Sequence, residues 1–126
     1  MNSAAHDIAA HLTALDVVVA GSVFIGEEPL SPNDCVTIYD TGGGDPFPDI
    51  EFYDTSIQIR VRDTKYTDAY AKQNQIREAL IIPTTFEING TRYIGVWNQG
   101  DIISLGKDQN NRAILTSNYR IERQSL

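Results

Sequence analysis

Residues 51–63, EFYDTSIQIRVRD, alternate cleanly in side-chain character. Tyr53, Ile57, Ile59 and Val61 fall on one side, with Thr55 among them, and Gln58, Arg60 and Arg62 on the other. Successive side chains of a strand point to opposite faces, so this pattern predicts a long strand with one face buried. Such a strand needs neighbours and a covering layer. The period then changes. In residues 66–81, YTDAYAKQNQIREALI, the positions Tyr66, Ala69, Gln73, Ile76 and Leu80 form one helical stripe, with Tyr70 beside it. Thr64 or Thr67 is the expected cap, and Pro83 the expected stop.

The rest of the chain supplies the partners. Residues 3–15 read as a helix on Ile8, Leu12 and Leu15, capped by Asn2 or Ser3, with Asp7 near the positive end of its dipole. Short strands are expected at 22–25 and 35–40, separated by a Gly- and Pro-containing loop at 26–34. Thr41–Ile50, TGGGDPFPDI, reads as a long mobile loop. Asn89-Gly90 within 86–97 is a strong type I′ hairpin signal. Two further strands are expected at 101–106 and 112–123, joined by a polar turn at Lys107–Asn111. The last strand turns Ala113, Leu115, Tyr119 and Ile121 inward and Arg112, Thr116, Asn118 and Arg120 outward. The order is α-β-β-β-α-β-β-β. It implies a single α+β domain over 1–126, with two helices on one face of a mixed, mostly antiparallel sheet. One domain also fits the 126-residue length.

Charge is distributed unevenly. Residues 1–59 hold ten acids and no Lys or Arg, whereas residues 60–126 hold seven acids and ten bases, giving −10 and +3. A tight general DNA binder is not expected from a net charge of −7. Apolar runs such as Val17–Ala20 fall far short of the ~18 residues that span a membrane. No basic N-terminal region precedes Asp7 and Asp16, so a secretory signal is not expected. The one cysteine, Cys35, cannot form an intrachain disulfide and reads as a buried structural thiol.

Catalytic and metal signatures are weak. His6 and His11 lie about 140° apart around a helix, unsuited to sharing one metal, and read as surface residues. Gly42-Gly43-Gly44 is followed by Asp-Pro-Phe-Pro instead of the Gly-Lys-Ser/Thr of a phosphate loop. Asp40, Asp45, Asp49 and Asp54 match no EF-hand spacing and read as a solvated acidic loop. Neither an enzyme nor a cofactor is expected. Arg60 and Arg62, with Arg112 and Arg120, mark either solvated outer faces or an interface for an acidic surface, which another copy of this acidic chain could provide.

The run CVTIYDTGGGDPFPDIEFYDTSIQIRVRD followed by KYTDAYAKQNQIREAL resembles the tail terminator and minor capsid proteins of long-tailed bacteriophages. Ile57–Arg62, Tyr66, Ala69, Ala71, Ile76 and Leu80 carry the likeness, with Tyr39–Gly43, and residues 3–82 hold most of it. The resemblance implies a virion protein at the tail–head junction, made in the host bacterial cytoplasm. It implies self-assembly into a ring, usually a hexamer, that caps the tail tube and ends its polymerisation. Its partners would be other copies, the tail tube protein and the head or neck connector, with DNA passing through unbound and no membrane contact. On this reading Arg60, Arg62, Arg112 and Arg120 meet a neighbouring subunit or the tube. Asp40, Gly42, Gly43, Gly44, Asp45, Asp49 and Asp54 form a flexible docking or lumen loop. Another head–tail connector or head-completion component, and a small cellular protein-binding adaptor, are the alternatives.

Overall fold

The alternating segment is the centre of the sheet. A computed structural model describes residues 1–45, 52–81 and 85–126. Among these the elements run α1 (Ala4–Ala14), β1 (Val23–Ile25), β2 (Cys35–Gly43), β3 (Phe52–Asp63), α2 (Tyr66–Ile81), β4 (Phe86–Ile88), β5 (Thr91–Asn98), β6 (Ile103–Lys107) and β7 (Ala113–Ser125), with a 3-10 turn at Ala20–Ser22. The strands form one sheet in the order β1-β2-β3-β7-β5-β4, with β6 also on β7. Among the described strand pairs only β1–β2 is parallel. The architecture is therefore α+β, as the pattern implied. The expected order holds broadly, and both arms of the hairpin at Asn89-Gly90 are strands, which adds one to the count.

Both helices cover the same face. Ile57, Ile59 and Val61 of β3 stand opposite Tyr119, Ser117 and Leu115 of β7, and Val36 and Ile38 of β2 extend the row. Ile8 and Leu12 of α1 and Ala69, Ile76 and Leu80 of α2 close the core above them. The Gln73 side chain reaches into this core. Its amide donates to the carbonyls of Ile59 and Leu115 and accepts from Ser117, so a buried polar group is fully employed. Tyr66 departs from its expected place in the inner stripe. It is exposed and stacks on Tyr70. Leu15, at the C-cap of α1, is likewise exposed.

Ser3 caps α1 through the His6 amide. A carboxylate joins this hydroxyl: Asp40 on β2 accepts from the Ala5 amide at 2.9 Å. This happens because β2 continues through Thr41, Gly42 and Gly43, where a loop was expected. A register shift lies between Asp40 and Gly42, and Gly43 pairs with Thr55. Gly43 has φ 137°, and a Cβ there would collide with the Asp54 carbonyl oxygen. Glycine thus permits the strand at this position. Asp49, the rest of the expected loop to residue 50, and Pro83 lie outside the described residues.

Candidate functional site

The helix-free face carries the charged side chains. Along β3 it presents Arg62, Arg60, Gln58, Ser56 and Asp54, and along β7 it presents Ile114, Thr116, Asn118, Arg120 and Glu122, paired in register. At one end the loop 26–34 folds over this face. Its backbone has no ladder of its own, so its carbonyls need donors. Arg62 donates to Asn33 from Nε at 3.1 Å, to Pro29 from Nη1 at 2.6 Å and to Pro32 from Nη2 at 2.7 Å. Arg112 donates to the Leu30 carbonyl at 2.7 Å and pairs with Asp108 at 2.8 Å. Arg60 pairs with Glu28 at 2.9 Å. Three of the four arginines singled out from the sequence therefore hold a loop of their own chain. That loop projects Leu30, which is 84% exposed.

The fourth arginine sits at the other end. Arg120 lies over the Trp97 ring, 4.8 Å from its centroid, with Asp54 and Glu122 each 3.7 Å from the guanidinium. Trp97 lies flat because residue 95 is glycine, where a Cβ would stand 2.5 Å from the ring. The result is a rigid aromatic and cationic platform, with Trp97 41% exposed. Trp and Arg in this arrangement are the residue types that dominate protein interfaces. The Gly-x-Trp spacing was the available signal for it, and it was not read from the sequence.

The acidic positions do not form one cluster. Asp40 faces α1, in line with the inward Ile57, whereas Asp54 belongs to β3 and faces the opposite side of the sheet. Gly44 continues the pairing by donating its amide to the Asp54 carbonyl, and Asp45 beyond it is exposed. Sequence reading also missed a buried polar centre. Asp7 is fully buried and accepts from the Tyr93 hydroxyl at 2.6 Å and from the Asn89 amide at 2.9 Å. Burial first, and the Asp7 carboxylate second, hold the Tyr93 phenol well above its usual range. Arg123 lies 3.3 Å from the same hydroxyl.

Other groups are chemically quiet. Burial pushes the Cys35 thiol up, away from the reactive thiolate. It lines a cleft of about 170 Å³ with Val18, Val36, Val61, Asp34, Asp63 and Lys72. The Lys72 ammonium is committed to the Val17 carbonyl at 2.8 Å. Among the described residues no three His, Cys, Asp or Glu side chains converge as a metal site. No described helix is long and apolar enough to cross a membrane.

A family model described as bacteriophage tail terminator protein matches residues 11–125. No curated protein matches the sequence. Among solved structures, a chain of the "Virion of native gene transfer agent (GTA) particle" superposes with a TM-score of 0.69 at 15% identity, covering 98% of this chain and 96% of that one. At that identity the likeness concerns the fold.

Proposed function

We propose, on the premise that this chain belongs to the bacteriophage tail terminator protein family, that it forms a ring on the finished tail tube. The ring ends tube polymerisation and presents the surface that joins the DNA-filled head. The family match over residues 11–125 carries this reading.

The charge balance supports it. Among the described residues, eight of the ten lysines and arginines are engaged within the chain, leaving only the Lys65 and Lys107 side chains without a partner. The acid surplus is therefore not offset by free cations. An acidic ring lumen repels phosphate, so DNA slides past without sticking. We assign Asp45 and Asp54, at the Gly44 end of the sheet, to a lumen or docking surface; Asp40, whose carboxylate faces α1 on the other side of the sheet, stands apart from it. Arg120 with Trp97 is assigned to direct contact with the tube or a neighbour. Arg60, Arg62 and Arg112 act through the loop they hold.

Electron microscopy of particles assembled without this protein tests the reading. Overlong, headless tails are expected. Tails of normal length that fail to join heads would assign the chain to a connector role instead.

A further inference from the structure

The register places two open strands at opposite ends of the same rows. Phe24 of β1 pairs with Thr37, Thr37 with Arg60, Arg60 with Thr116, and Thr116 with Ile103 of β6. One row further, Val23, Val36, Val61, Leu115 and Ser104 line up in the same way. At this level the sheet is five strands wide, and β1 and β6 each pair on one side only among the described strands. Both edges are apolar and open. β6 is exposed along its whole length, with Ile103 and Leu105 outermost. Val19 and Ile25 are exposed on the β1 side. Neither strand carries a proline, and the register shift in β6 lies beyond Ser104, so Ile103–Ser104 and the three residues of β1 offer short, regular templates for pairing.

We infer that β6 of one copy adds to β1 of the next, so that the sheet continues from subunit to subunit around the ring. The inference rests on the ring reading above and names the surfaces that meet. Strand direction is compatible. β6 runs with β3, and β1 runs against it. A neighbour related by rotation about an axis along the strands therefore meets β6 with an antiparallel β1, the more stable pairing. The contact is head-to-tail, as a closed ring requires. Charge agrees as well. Lys107, at the end of β6, pairs with Ala113, and Ala113 with Asp63, whose row continues to Asp34 beside Cys35. The unpartnered Lys107 thus leaves one edge at the level where Asp34 precedes β2, one strand in from the other edge, in a cleft it shares with Asp63 and with Lys72, whose ammonium is taken by the Val17 carbonyl.

The test uses the full chain, in solution and on assembled tails. Ile103→Asp and Lys107→Glu alter exposed side chains, so the monomer's melting profile should stay as in the wild type. Ring formation, followed by native mass spectrometry, should need about tenfold more protein in either variant. A Phe24→Cys/Ile103→Cys chain should give a disulfide ladder under oxidation up to the full ring, and each single variant should give none. Should the Phe24 change unfold the chain, Ser22→Cys/Leu105→Cys replaces it. A ring that forms at the wild-type concentration in both charge variants, without a ladder, overturns this inference and leaves the terminator reading standing. Finding no ring of the wild type in solution or on tails overturns the terminator reading itself.

Discussion

Arg62 shows how far a single residue's role can depend on its surroundings. Its position on the polar side of β3 was legible from the alternation, yet its side chain is only 3% exposed. Three carbonyls of the loop 26–34 surround the guanidinium. Truncating it leaves those carbonyls buried without donors, so Arg62→Ala should cost about 3 kcal/mol or more in denaturant unfolding. Arg62→Lys should recover only part of this, because an ammonium cannot reproduce the planar fork. His11 makes a second case. The sequence pattern puts it on the surface, yet it stacks on Phe86 with ring centroids 3.8 Å apart, and burial lowers its pKa. The neutral form is favoured in the fold, so the unfolded chain takes up the proton first as pH falls. Stability should therefore drop as pH goes below about 6.5 and level off beneath the lowered folded value. His11→Phe, which keeps the stack, should flatten that part of the profile in a pH series of thermal melts.

At the scale of elements, strand and helix identities came from periodicity, and most boundaries fell within a few residues of their expected places. The exceptions share a cause. β2 runs on through Gly43 because β3 offers a partner ladder there, and local glycine content carries no information about a partner. The loop 26–34 looked like a plain connection, and only the sheet register brings Arg60, Arg62 and Arg112 beneath it. The β5 platform also depends on distant pairing, since Arg120 reaches Trp97 from β7. Gly95→Ala should drive the ring off its seat and away from Arg120, shifting the emission of the sole tryptophan and costing about 1 kcal/mol. Unchanged fluorescence would mean that Trp97 does not lie over residue 95 in solution.

For the whole molecule, charge is the property that reaches furthest. A chain of net charge −7 with most of its cations engaged internally should leave duplex DNA unshifted in a gel even at about 50 mM salt, where phosphate contacts are strongest. Retarded DNA would count against the proposed lumen. The contrast between −10 in residues 1–59 and +3 in residues 60–126 did not become two opposite surfaces. β3, mostly from the first part, pairs along its length with β7 from the second, and Glu28 meets Arg60. Side-chain period and turn chemistry are local, and by themselves they determined the element order, the α+β class and which residues of β3 and β7 face the helices. Which polar side chains stay exposed, where the acids gather and which strand edges remain open depend on pairings between residues tens of positions apart. Only the tertiary structure decided those, because the energy that sets them comes from contacts no local window contains.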